Sequence, residues 1–369
     1  MKTILLNPGP VTLSRRVREA MLRADLCHRE PEFLALQDGL RRKLVDVYGL
    51  DPATWAAVLL TGTGTAAMEA MLTSMVPNGG RVLIIENGVY GERMTLIARA
   101  YGIDHERVTA GWEEAINLSA VDQAMRRSTF SHLAVVHHET TTGRLNEIAR
   151  LGELAAAHGA RLLLDGVSSF GAEALEFDGW HLDACAATAG KCLHGVPGPS
   201  FVLVRRAALA SAPKRTVYLD LANYLAQQDA QTTPFTQSVQ TFYALDEALD
   251  EFFEAGGWRV RQALFRMRMA RIRDALLALG VSPLVPASES SCVLHAFELP
   301  PKYDYSALHD TLKQAGFIIY AGPGGSSPRV FRISAMGNIG QDDLDRLLET
   351  LSRILSGASG ARTKGSVVQ

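Results

Sequence analysis

Between residues 55 and 205 short apolar runs alternate with helix-like segments, and that order admits few architectures. Trp55-Ala-Ala-Val-Leu-Leu60, Arg81-Val-Leu-Ile-Ile85, His132-Leu-Ala-Val-Val136 and Arg161-Leu-Leu-Leu164 are short runs rich in Val, Ile and Leu. Apolar residues in unbroken succession suit strands covered on both faces. The stretches 65–74, 91–101 and 148–158 between them carry helical spacing. A strand–helix–strand repeat demands right-handed crossovers, so an α/β fold with a mainly parallel central sheet is expected.

The flanks differ. Helices are expected over 14–25, capped by Ser14, and over 31–47, where Pro31 suits a first turn. Two more follow the central block, over 240–253 and 258–279. The texture then changes to strand-like 291–299, helix 305–315, strands 317–320 and 329–333, and helix 341–355. That pattern suits a small α+β unit, an antiparallel sheet with helices on one face. With 369 residues, a single hydrophobic core is rarely enough. The expected division is an N-terminal arm (1–14), a large domain (15–280), a small C-terminal domain (281–358) and a flexible polar tail (359–369).

Charge narrows the partners. Lys and Arg total 37 against 39 Asp and Glu, a formal net charge of -2, without the basic excess of a nucleic-acid binder. The opening MKTILLNPGP is too short for a signal-peptide core, and no later stretch offers ~18 unbroken apolar residues. No nucleic acid and no membrane are expected as partners, and a cytoplasmic location is. The four cysteines lack C-x-x-C spacing, and His137 and His138 have no carboxylate or Cys at ligand spacing, so no metal site is expected.

Thr61-Gly-Thr-Gly-Thr-Ala-Ala67 follows a strand and opens a helix. Free N–H groups at a helix N-terminus, with glycines and Thr hydroxyls beside them, make an anion site. The same letters satisfy G-x-G-x-x-A, and Glu86 ends the next strand near where a dinucleotide fold keeps its ribose-binding acid. A dinucleotide, another phosphate and a plain tight turn all remain open on this motif.

Two other residues weigh more. The chain has seven lysines and none between Lys43 and Lys191. Lys191 sits among Ala, Cys and Gly just after a short strand, where partial desolvation lowers its pKa and frees a neutral amine for a Schiff base. A surface lysine at a strand end is the plainer alternative. Asp165 ends the run Arg161-Leu-Leu-Leu-Asp165, at the edge where open α/β sheets bind ligands. A carboxylate there can pair with a protonated pyridine nitrogen; a helix cap or turn is its ordinary use. A phosphate turn, a strand-end Asp and a desolvated Lys, in that order, are what pyridoxal phosphate chemistry requires. Together they outweigh the dinucleotide.

With these residues in view the sequence resembles the class V, fold-type I pyridoxal-phosphate aminotransferases, and among them the 2-aminoethylphosphonate–pyruvate transaminases. The likeness runs from Leu5 to about Ile339. It rests on Asn7-Pro-Gly-Pro-Val-Thr12, Asn87-Gly-Val-Tyr-Gly-Glu-Arg93, His138-Glu-Thr-Thr-Thr-Gly143, Asp165-Gly-Val-Ser-Ser-Phe-Gly171, Gly190-Lys-Cys-Leu-His-Gly-Val-Pro-Gly198 and Phe331-Arg-Ile333. The resemblance implies a homodimer in which Lys191 bonds the cofactor and Asp165 pairs with its pyridine nitrogen. Thr63, Gly64 and Thr65 would hold the phosphate, Tyr90 stack on the ring, Val167 pack beneath it and Thr140 bond the ring hydroxyl region. Thr236 would reach the phosphate from the second subunit. Substrate contacts are implied at Pro10, Arg29 and Arg332, the last as the fork for an acidic group.

The sequence also departs from that pattern. Gly190 stands where the subfamily usually has Asn, its usual lysine segment reads Tyr320-Ala-Gly-Pro323, and its compact Phe-Arg-Ile-Gly-Asn-Ile-Gly is stretched to Phe331-Arg-Ile-Ser-Ala-Met-Gly-Asn-Ile-Gly340. The resemblance implies transfer of the amino group of 2-aminoethylphosphonate to pyruvate. An alanine or serine–glyoxylate transaminase, an ammonia-lyase acting on a hydroxylated aminoethylphosphonate, and a binding protein that has lost turnover remain as rivals.

Overall fold

The structure, a computed structural model, describes residues 2–210, 212–322 and 329–356. The tail expected over 359–369, the last residues of the small domain and Pro323 lie outside the described residues.

The four apolar runs form strands, and the runs alternate between two cores as a period of two requires. In Arg161–Asp165, Leu162 and Leu164 enter one hydrophobic cluster and Leu163 the other, all three fully buried. Burying each such side chain contributes about 1.5–3 kcal/mol. Leu83 and Ile85 face the first cluster while Val82 and Ile84 face the second. Helices cover both faces, which is why these strands carry no polar side.

The large sheet has seven strands in the order Trp55–Thr61, Pro199–Arg205, Leu182–Thr188, Arg161–Asp165, His132–Val136, Arg81–Glu86 and Asp104–Thr109. Pro199–Arg205 runs antiparallel to both neighbours and every other pairing is parallel. Because it is reversed, it begins at the edge where its parallel neighbours end. The turn after Thr61, the segments after Glu86 and Val136, Asp165, the residues after Thr188 and Gly198 therefore converge on one edge. Ligands bind at that edge in open α/β sheets.

A second sheet pairs Ser282–Pro283, Leu294–Glu298, Val330–Ser334 and Tyr320–Ala321 antiparallel. Helices Tyr305–Gln314 and Gln341–Leu355 share one core with it, through Leu308, Leu312, Leu344 and Leu347 against Phe297 and Phe331. Ile272 and Leu276, near the end of helix Gly257–Ala278, belong to this core too.

Three expectations need correcting. The helix expected over 14–25 is only Arg15–Ala20. Ser14 does cap it, accepting from Val17 N–H, but Leu22 is 84% exposed and gives a longer helix nothing to bury. The single strand expected over 317–320 is split: Phe317–Ile318 pairs in parallel with Ile4–Leu5, while Tyr320–Ala321 joins the small sheet. Glu86 lies outside the phosphate turn altogether. It accepts from the Thr95 hydroxyl and pairs with Arg107 at 3.0 Å, so the acid that favoured a dinucleotide is structural.

Candidate active site

At the convergent edge a cavity of about 250 Å³ is lined by Gly9, Pro10, Thr63, Gly64, Thr65, Met68, Tyr90, Arg93, Val167, Thr188, Gly190, Lys191, Pro197 and Gly198. Each side of it comes from a different strand end. The glycine-rich turn makes Thr63 the N-cap of helix Gly64–Met75, so the first N–H groups of that helix face the cavity without intrahelical partners. That is an anion cradle built of backbone. A larger cleft of about 480 Å³ beside Arg41, Arg206 and Asp229 has its charges already paired, Asp229 with both arginines.

Lys191 is half-buried with its amine inside the cavity, and its Nζ donates to the Pro8 carbonyl. Burial pushes its pKa down to about 8; Asp165 pulls it back up, and Arg332 and Arg93 push it further down. Asp165 is 2% exposed. One of its oxygens accepts from Val167 N–H at 2.9 Å, and no partner among the described residues takes the other. Burial pushes this carboxyl up to about 6, against the pull of Arg93 and Lys191.

Gly9 lets the start of the chain approach Lys191 closely. Its φ is +121°, and a Cβ there would sit 2.9 Å from Cδ, Cε and Nζ of Lys191. The obstacle is the flexible end of the lysine, so an added methyl displaces the amine, and at this φ it also strains the backbone. Gly9→Ala is therefore expected to lower turnover by roughly tenfold to a hundredfold, the usual result of moving a reacting group by about an ångström. Thermal stability should fall as well, by about 1–3 kcal/mol of backbone strain, so turnover is compared per folded molecule. Turnover and melting measured on the same preparation check this, and wild-type turnover in the variant would mean the lysine does not react from this position.

Arg332 lies on Val330–Ser334 and is 7% exposed. Its Nε donates to the Ala321 carbonyl and its Nη1 to the Thr140 carbonyl at 3.1 Å, which ties the small sheet to the edge of the large one. No carboxylate among the described residues pairs with it, and burial lowers its pKa, with Tyr90 and Glu139 pulling the other way. Its charge is left to a visitor. Thr140 Oγ1 is buried without a partner among the described residues. Glu139 is fully buried and pushed up to about 7 by that burial; it accepts from Tyr90 N–H and from Thr141, fixing the start of helix Val89–Ala100.

Among the residues marked from sequence, Pro10, Thr63, Gly64, Thr65, Tyr90, Val167 and Lys191 line one cavity. Asp165, Thr140 and Arg332 stand beside it, through the contacts just given. Arg29 and Thr236 are exposed and do not line it in this chain. The departures also find places. A Cβ at Gly190 would lie 3.2 Å from Pro197 backbone atoms, so the turn leaves little room for the Asn expected there. The stretched segment folds back onto the Lys191 loop, with Gly337 N–H donating to His194 Nε2 at 2.8 Å and Arg268 donating to the Ala335 and Gly337 carbonyls. Sequence reasoning missed Arg93. Its one signal was its place three residues after Tyr90, on the same helix face.

These residues fit pyridoxal phosphate. The backbone cradle suits its phosphate, the free Asp165 oxygen its pyridine nitrogen, the partnerless Thr140 hydroxyl its ring substituents, and the desolvated Lys191 amine its aldehyde.

Comparison with known proteins agrees. The family Aminotransferase class-V matches residues 24–347. A 2-aminoethylphosphonate–pyruvate transaminase of Burkholderia thailandensis is 36% identical over 347 residues, covering 92% of this chain and 93% of the relative. Among solved structures, an aspartate aminotransferase from Thermus thermophilus has a TM-score of 0.88 at 27% identity, over 96% of this chain and 99% of that one. An alanine–glyoxylate aminotransferase from Nostoc sp. has a TM-score of 0.88 at 28% identity, over 96% of both chains. With a family match along most of its length and cofactor-shaped chemistry at the convergent sheet edge, the chain belongs to the class V aminotransferases, which are pyridoxal-phosphate-dependent enzymes of fold type I.

Proposed function

We propose that the enzyme moves the amino group of 2-aminoethylphosphonate to pyruvate, giving phosphonoacetaldehyde and alanine. The observation that carries this reading is Arg332: a buried guanidinium, held in place by two backbone carbonyls and given no carboxylate by the described residues. Such a fork takes an acidic group, carboxylate or phosphonate, and a phosphonate dianion brings the greater charge to it. The relative's name points the same way.

The roles follow from position. Pyridoxal phosphate, once held, supplies the electron sink that lets the carbon bearing the substrate's amine lose a proton. Lys191 is the group that carries that proton, since its amine is about half neutral near pH 8 and lies inside the cavity. Asp165 keeps the pyridine nitrogen protonated. Tyr90 and Val167 confine the ring, while Thr63, Gly64 and Thr65 hold the phosphate. Arg332 turns the substrate's acidic end toward the small sheet, and Pro10 closes the opposite wall.

The same reading takes the enzyme as a cytoplasmic homodimer, in which the exposed Thr236 and Arg29 would complete the site of the second subunit. The domain division at residues 14 and 280 is part of it. The separate core beneath the small sheet supports that division, although Ile272 and Leu276 of the long helix share that core.

One assay tests the substrate. Purified protein given 2-aminoethylphosphonate and pyruvate should form alanine and release no ammonia, with kcat/KM above that for alanine or serine as donor. Arg332→Ala should weaken the phosphonate by roughly tenfold to a hundredfold, the loss of one charge-assisted contact to a dianion. The alanine–glyoxylate neighbour favours a carboxylate in the same fork. Good turnover of alanine with glyoxylate, with none of 2-aminoethylphosphonate, would replace the phosphonate reading by that one, and ammonia formed without pyruvate would replace it by elimination.

A further inference from the structure

Arg93 is a cation inside the cofactor cavity with no carboxylate salt-bridged to it among the described residues. It is half-buried and lines the same wall as Thr63, Gly64 and Thr65. Its Nη1 donates to Thr65 Oγ1 at 3.2 Å, in the first turn of helix Gly64–Met75. Its guanidinium carbon lies 4.7 Å from the centre of the Tyr90 ring. The other two cations of the site are engaged, Lys191 with the Pro8 carbonyl and Arg332 with the Ala321 and Thr140 carbonyls.

Charge balance gives Arg93 its task. A phosphate monoester carries about -1.5 to -2 charges at neutral pH, and a helix N-terminus offers about half a positive charge. The two threonine hydroxyls add donors and no charge. Gly190, which lines the same cavity, brings no side chain at all. A largely enclosed dianion left short of more than one charge is strongly disfavoured. Arg93 is the cation within reach of the cradle, already hydrogen-bonded to one of its threonines.

We propose that Arg93 is the counter-charge of the cofactor phosphate, acting with Thr65 and the helix N-terminus, and that it holds the Tyr90 ring with the same guanidinium. This rests on the cofactor assignment and is independent of which amino donor the enzyme uses.

Pyridoxal, the same ring without the phosphate, separates the two duties. Full-length protein freed of cofactor is titrated with pyridoxal phosphate and with pyridoxal, following tryptophan fluorescence. Arg93→Met should weaken pyridoxal phosphate by about tenfold to a hundredfold and leave pyridoxal almost unchanged. Inorganic phosphate should compete with pyridoxal phosphate in the wild type and lose that ability in the variant. Arg93→Lys should recover part of the affinity, since a point charge remains but the fork to Thr65 is lost. If Arg93→Met does not fold, Arg93→Lys carries the test by the same phosphate-specific loss. An equal loss for both ligands overturns the proposal, leaving Arg93 as a prop for Tyr90. Unchanged pyridoxal phosphate affinity with a raised KM for the amino donor also overturns it, and assigns the guanidinium to the substrate. A wild type that binds neither ligand overturns the cofactor assignment, and this proposal with it.

Discussion

Lys191→Ala is expected to lose at least about a thousandfold in turnover, together with the yellow colour of the purified enzyme. Two functions end in one atom. On the proposed function Nζ, the amine inside the cavity, would bond the cofactor's aldehyde and also serve as the base for the carbon to be deprotonated. General acid–base catalysis alone is worth on the order of a hundredfold to ten-thousandfold. Its setting makes the amine competent, because burial brings its pKa to about 8 and a usable share is neutral in ordinary buffers. Fold stability should change little, since the side chain's only hydrogen bond among the described residues is to the Pro8 carbonyl. Lys43 is the control. It pairs with Asp246 and Asp250 away from the cavity, so Lys43→Ala should stay yellow and active. A colourless wild type, or a Lys191→Ala protein that keeps its visible absorbance, would show that the cofactor is not bonded here.

Most of the large sheet was legible because its strands are buried on both faces and advertise it with unbroken Val, Ile and Leu. Asp104–Thr109 went unnamed for want of that signal, whereas Pro199–Arg205 carries it in Phe-Val-Leu-Val and was also not named. Asp104–Thr109 is an edge strand whose sequence, DHERVT, is mostly polar, with an exposed Asp and Thr at its ends. Leu182–Thr188, the short strand read just before Lys191, is fully buried but built from Ala, Cys, Thr and Asp183 around one Leu, so its apolarity is quiet. Lys191 and Asp165 could be found in sequence because each follows or ends a strand, and a parallel sheet sends such ends to a common edge. Arg332 could not be found that way. A charged residue in the middle of Val330–Ser334 looks like any strand-face ion pair, and it was the resemblance that marked it. Glu86 shows the opposite error, a carboxylate at persuasive spacing whose real partners, Thr95 and Arg107, lie on the following helix and on the edge strand. Gly9 meets Lys191 across 182 positions of chain, and Arg93 shares its wall with Thr65 across 28. No local pattern records such meetings.

Asp165→Asn should lose roughly tenfold to a thousandfold in turnover, and its pH behaviour should identify the cause. A carboxylate beside a cation shifts the cation's pKa by about 1–3 units, so removing it cuts the protonated fraction of a pyridine nitrogen by that many powers of ten. The Asn side chain can still accept from Val167 N–H, so the backbone turn survives. In the cofactor-free wild type the carboxyl stands at about 6, raised by burial from 3.8. Only its ionised form can pair with a pyridinium, so cofactor affinity should fall as pH drops through about 6. A second limb near 8 belongs to the Lys191 amine. Asp165→Asn should abolish the lower limb and move the upper one to lower pH, since the carboxylate raises the Lys191 pKa. Stability has the opposite sign. A folded pKa above the unfolded value means the folded chain favours the protonated carboxyl, so that contribution is present below about 3.8 and is lost as pH rises through about 6. Without cofactor, the Asn variant should therefore melt no lower than the wild type at pH 8, even though it has lost most of its activity. A cap or turn residue would behave differently, lowering the melting temperature of the cofactor-free protein while sparing turnover per folded molecule. Melting curves of the cofactor-free pair at pH 5 and 8, beside their affinities for pyridoxal phosphate, decide between a residue that tunes the ring nitrogen and one that only shapes the turn.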